Sequence, residues 1–167
     1  MRKLYIRQKV FKITDHYDIL GDNQEVVYRV DQDFTFFGHR VHVTHPTGAH
    51  LFTINKKVIS LLPFFTITFA NGNTIELKSR FTIMRKKIDI LPADLGLHVE
   101  GSFMQHNFSL LRGNQVVGDI KKAWISWGDV YEITIHDESI QDIIVAVMIA
   151  VDNLLDQEAS RSSSSND

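Results

Sequence analysis

Eight histidines in 167 residues are the first place to look for chemistry, because imidazole titrates near neutral pH and ligates metals. Four of them, His39, His42, His45 and His50, fall close together. On a strand, His39 and His42 point to opposite faces, since side chains alternate with period two. A turn at Pro46 would bring His45 and His50 together, but two imidazoles with no nearby carboxylate make a poor metal site. The expectation is surface histidines on a strand and its turn, and no bound metal. His16, His98, His106 and His136 are isolated in the sequence.

Nucleophilic catalysis finds no motif. The chain has no cysteine, and the G-x-S-x-G turn that presents a reactive serine is missing. Gly113-Asn-Gln-Val-Val-Gly118 has the glycine spacing that opens a phosphate-binding loop. Asp119 and Ile120 then stand where Lys and Ser or Thr are needed, which puts an anion in place of the phosphate-binding cation. Asp31-Gln-Asp33 opens like a calcium loop, but its glycine comes late, at Gly38, and the twelfth position is His42 instead of Glu. No pair of carboxylates has a spacing that names a reaction. The sequence therefore reads as a non-enzyme without a cofactor.

Cations are the remaining candidates. Arg80, Arg85, Lys86 and Lys87 lie within eight residues, interleaved with Phe81, Ile83 and Met84. Lys56-Lys57 and Lys121-Lys122 are further pairs. Grouped cations near anionic lipid contribute about 1 kcal/mol each, so Arg80, Arg85, Lys86 and Lys87 form the candidate patch for an anionic ligand. The plainer use of such residues is a solvated hairpin that keeps strand edges soluble. Convergence of the basic groups on one face, beside Trp124 or Trp127, would favour the lipid reading. The formal net charge of −2 argues against a general nucleic-acid binder, which carries a basic excess.

The elements that must position these groups are mostly strands. Val26, Tyr28 and Val30 alternate with polar or outward residues, as do Val41 and Val43, Phe65, Ile67 and Phe69, Ile75 and Leu77, and Tyr131, Ile133 and Ile135. Such segments read as half-buried antiparallel strands. Leu20-Gly21-Asp22-Asn23, His45-Pro46-Thr47-Gly48, Ala70-Asn71-Gly72-Asn73 and Arg112-Gly113-Asn114-Gln115 carry turn residues. Asn71-Gly72 between two alternating runs is the strongest hairpin signal. A faint echo links residues 48–57 to 113–122: each is a turn, then a strand ending in a Lys pair, then an aromatic strand. It suggests two related halves.

One segment breaks the pattern. From Ile143 to Val151 every residue is apolar. Asp142 and Asp152 bracket a run only half as long as the roughly 18 residues that a membrane-spanning helix needs. Ser139-Ile140-Gln141-Asp142 has capping-box form, so a helix over about 139–157 is expected. Its ends carry a polar face but its centre is apolar all round, as for a helix surrounded by protein. Ile143, Ile144, Val147, Met148 and Val151 would form its plug. Periodicity alone leaves an ordinary core helix equally open. The Ser-rich tail, 158–167, is expected to be disordered. The basic N-terminus lacks an apolar h-region and does not read as a secretory signal. A single cytoplasmic domain over 1–157 is the resulting expectation.

Several segments in order, MRKLYIRQKVFKITDHYDIL, VVYRV, HLFTINKKVISLLPFFTI, VEGSF, NFSLLRG, and KK…DVYEITI leading into DIIVAVMIAVDNLL, resemble the LURP-one-related family over about residues 1–156. The resemblance implies a fold like the tubby C-terminal domain and the phospholipid scramblases: a closed, mainly antiparallel barrel of about 12 strands around a central C-terminal apolar helix. It carries no catalytic motif. It implies a binding or scaffold role, with anionic lipid head groups or a protein as partner. A peripheral phosphoinositide-type lipid module or a scramblase-like protein is the alternative, since tubby-like domains bind head groups through Lys and Arg on the barrel wall.

Overall fold

Alternation does build strands here. The computed structural model describes residues 1–7, 15–35, 38–57, 64–81, 86–102, 106–126 and 128–164, with backbone alone at 34–35, 38, 57, 64, 79–81, 86 and 155–164. The first six strands are β1 (Arg2–Arg7), β2 (His16–Leu20), β3 (Val26–Thr35), β4 (Gly38–Thr44), β5 (His50–Lys57) and β6 (Phe64–Phe69). Six more follow: β7 (Thr74–Phe81), β8 (Lys86–Leu91), β9 (Leu97–Ser102), β10 (Asn107–Arg112), β11 (Gln115–Ile125) and β12 (Gly128–Ile135). Helix α1 spans Gln141–Ser164.

Each strand pairs antiparallel with its neighbours in sequence, and β1 pairs with β12 to close a barrel. The β1–β12 seam is long, from Arg2↔Ile135 to Arg7↔Val130, whereas β1 and β2 meet at Tyr5↔Leu20 alone. Closing a sheet into a barrel covers strand edges that could otherwise recruit another chain. The expected strands and the expected 12-stranded barrel are both present. The segments that echo each other form β5 and β11, six places apart in a ring of twelve, so they face each other across the barrel.

Alternate residues of the wall point inward and are buried, among them Leu4, Ile19, Val43, Phe52, Ile67, Ile90, Val99, Leu110 and Ile133. They enclose α1. Ile144 to Val151 are at most 1% exposed, on every side of the helix. The apolar run is thus the filling of a barrel. Among the described residues no helix is long and apolar enough to cross a membrane. At Gly118 in β11 an added Cβ would lie 2.5 Å from Ile144 Cγ2, so this glycine lets wall and plug approach closely.

Four details differ from the sequence reading. The helix is capped by Asp137, not Ser139: Asp137 accepts from the Ser139 amide at 3.1 Å, and a 3-10 turn over Glu138–Ile140 precedes α1. The 3-10 turn puts the cap two residues ahead of the expected box. Ile143 is only partly buried, because it sits where the helix emerges from the wall. The helix runs past 157, so residues 158–164 of the expected disordered tail are helical. No Gly or Pro stops them, Ala159 and Arg161 favour helix, and propagating a helix already held by packing costs little. Residues 165–167 lie outside the described residues. Last, His50 meets His42 and not His45, as set out below.

Because the strands form an up-and-down ring, alternate connections fall at opposite ends. The connections 21–25, 45–49, 70–73, 92–96, 113–114 and 136–140 share one end, the proximal rim, where α1 begins. Gly72, with φ +86, and the Asn71 side chain, which accepts from the Asn73 amide at 2.9 Å, make the expected β6–β7 turn there. The opposite strand ends, among them Arg7, Lys57, Phe81 and Lys86, mark the distal rim, where α1 leaves; residues 8–14, 36–37, 58–63, 82–85, 103–105 and 127 lie outside the described residues.

Candidate binding surfaces at the two rims

The predicted basic patch falls on the arms of the β7–β8 hairpin. Arg80 is opposite Lys87 and Phe81 opposite Lys86. Arg85 lies outside the described residues. Like charges directly opposite on paired strands are unfavourable. Here Glu100 of β9, which is in register with Lys87, offsets them with a carboxylate 3.7 Å from the Lys87 ammonium.

Other basic residues lie along the whole barrel, Arg2, Lys3 and Arg112 near the proximal rim among them, but one group shares the distal end. Arg7, Lys56, Lys57, Arg80, Lys86 and Lys87 all lie within two residues of a distal strand end, on β1, β5, β7 and β8. Trp124, next to last in β11, is 78% exposed at the same end. Trp127 lies outside the described residues. The second Lys pair is more committed. Lys121 and Lys3 both lie 3.2 Å from the buried carboxylate of Glu132, and the Lys122 ammonium stands 6.0 Å from the Tyr131 ring.

Histidines that look isolated in sequence find carboxylates in space. His16 pairs with Asp31, His98 with Glu100 at 3.3 Å, His106 with Asp152 at 3.0 Å and His136 with Asp119 at 2.6 Å. Each pair joins different strands, or the wall to the plug, apart from His98 and Glu100, which share one face of β9. Only the barrel register could show this. His42 and His50 have ring centroids 6.3 Å apart, with Thr53 Oγ1 within 3.3 Å of both rings. His45 turns instead to Thr47, at 2.8 Å. Among the described residues no three His, Asp or Glu side chains converge as metal ligands. His39 does face the opposite way from His42 and is buried. Its burial, then the nearby Lys56 charge, hold its pKa below the usual 6.5, against a smaller opposing pull from Asp33.

Asp152 marks the distal stretch of the plug. It is fully buried, and His106 reaches it from the β9–β10 connection. Burial, and then the Asp152 charge, push the buried Tyr17 hydroxyl's pKa well up. At the other end of the helix, Tyr28 Oη donates to Asp142 at 2.7 Å and accepts from Gln141 Nε2 at 2.6 Å, while Arg2 donates to Gln141 Oε1 at 3.1 Å. Both ends of the buried apolar run of α1 are therefore pinned to the wall by polar contacts that the sequence alone did not suggest.

The proximal rim also holds a cleft of about 740 Å³. Its walls are the β6–β7 turn, the Pro92–Leu95 segment and the start of α1. A smaller one of about 370 Å³ next to it shares Arg2, Gln141 and Asp142. The sequence reading nominated nothing here, because the lining residues are scattered over the whole length of the chain.

The family model described as LURP-one-related matches residues 2–152. The chain belongs to the LURP-one-related family. The matched range takes in all twelve strands of the LURP-one-related barrel and the buried part of its helix. The Bacillus subtilis (strain 168) protein YxjI, itself uncharacterized, is 28% identical over 151 residues, covering 90% of this chain and 91% of that protein. The X-ray structure of an Arabidopsis thaliana protein is similar with a TM-score of 0.66 over 92% of this chain and 90% of that one, at 10% identity. At that identity the likeness concerns the fold alone.

Proposed function

We propose that this protein is a non-enzymatic, cytoplasmic binding barrel whose distal rim receives an anionic ligand, with phosphoinositide-type head groups on a membrane surface as the first candidate. The carrying observation is the gathering of Arg7, Lys56, Lys57, Arg80, Lys86 and Lys87 at one end of the barrel, the end where Trp124 is exposed. Cations on one rim act together on a planar anionic surface, and an interfacial tryptophan suits the same boundary. The non-enzymatic reading is supported by the use made of the four His–carboxylate pairs, three of which tie one part of the barrel to another.

Co-sedimentation with liposomes tests this. Vesicles containing phosphatidylinositol bisphosphate should carry the protein down at low salt, neutral phosphatidylcholine vesicles should not, and added salt should weaken the binding. Changing Arg85, Lys86 and Lys87 together to Ala should lower the partition roughly a hundredfold, at about 1 kcal/mol per cation. Absence of binding to the anionic vesicles at low salt would overturn the lipid reading and leave a soluble scaffold for a protein partner.

A further inference from the structure

The geometry points to a second binding site, in the proximal cleft, for a small amine or guanidine carried on an apolar body. The floor is apolar: Phe69, Leu95, Ile140 and Ile143 pack against the core yet stay partly exposed, and all four line this one cleft. Its volume, about 740 Å³, lies within the roughly 300–1,000 Å³ of small-molecule pockets. Its rim is acidic. Asp94, Glu138 and Asp142 contribute three carboxylates against two cations, the Arg2 guanidinium, which is directed to Gln141, and the Met1 amino group, which pairs with Glu138. Asn71, Asn73, Thr74 and Ser139 add neutral polar groups. An apolar floor under a net negative polar rim selects a ligand with the same two parts and a positive head.

The carboxylates do not all have the same standing. Glu138 and Asp142 lie at the start of a helical segment, whose positive end already favours them, and Asp142 accepts from Tyr28. Glu138 lies 3.0 Å from the Met1 amino group, so it already holds an ammonium, the chain's own, which a ligand would have to displace. Asp94 stands on the opposite wall, in the Ala93–Leu95 turn, and owes nothing to α1. It is exposed, so removing its charge leaves the fold intact and makes it the residue to test. This site is at the opposite end of the barrel from the basic rim, and its failure would leave that reading untouched.

The test uses the full chain and three probes with one body and different heads: 2-phenylethylamine, 2-phenylethanol and phenylacetate. Binding is read from ¹H–¹⁵N amide shifts of Asn71, Asn73, Leu95 and Ser139. The amine should bind with a millimolar dissociation constant, normal for so small a probe. The alcohol and the carboxylate should bind at least about tenfold more weakly. Asp94→Asn should weaken the amine several-fold at unchanged melting temperature and leave the alcohol unaffected. Equal binding of all three heads, preference for phenylacetate, or shifts confined to other residues up to the solubility of the probes would each overturn the proposal.

Discussion

At the scale of single residues, the buried polar groups are the ones whose state depends on pH. His39 is 8% exposed and its pKa is lowered, first by burial and then by Lys56. In the unfolded chain it titrates near 6.5. As pH falls through that value, the unfolded chain takes up a proton that the folded chain still refuses. Stability should therefore fall with pH from about 6.5 down to the folded value and level off below it. Urea denaturation of the wild type and His39→Gln, above and below pH 6.5, should show a smaller acid loss in the variant. Parallel losses would mean that His39 is protonated as easily inside as outside. Alternation in β4 was enough to put His39 and His42 on opposite faces. It could not say that His39 would be enclosed, because that depends on the barrel closing around α1. The pairing of His106 with Asp152, across 46 positions of chain, was equally out of reach.

At the scale of elements, the fit between plug and wall is decided at a few contacts. Gly118 is one, because a Cβ there would come within 2.5 Å of Ile144 Cγ2. Gly118→Ala must push Ile144 or β11 aside, a crowding worth about 1–3 kcal/mol, and should lower the urea midpoint accordingly. An unchanged midpoint would show that helix and strand can slide apart at this point without loss. Strand identity was legible from period-two alternation and from the turn residues, since both are local. The helix was legible too, as an apolar run bounded by charges. Its limits were not: capping by Asp137 depends on a 3-10 turn, and the continuation to Ser164 depends on a helix already nucleated by burial.

For the whole molecule, order along the chain matters. Every described strand precedes α1, and among the described residues no other helix fills the barrel. A charge at the plug's centre should therefore prevent folding altogether. Val147, 0% exposed, lies in the middle of the run, and burying an unpaired carboxylate there costs several kcal/mol, about the stability of a domain this size. Val147→Asp should be insoluble or lack a cooperative thermal transition. A soluble variant with a wild-type transition would mean that the helix can leave the barrel. By itself, the sequence determined seven of the twelve strands, four of the six proximal turns, the helix and, through the order of its motifs, the family, because all of these are written in local patterns. Tertiary structure alone decided which residues meet. Register and closure brought Arg7, Lys56, Arg80 and Lys87 to one rim, set isolated histidines against carboxylates, and assembled the acidic cleft from four separate stretches of chain. Those are distances between residues far apart in sequence, and no local pattern encodes them.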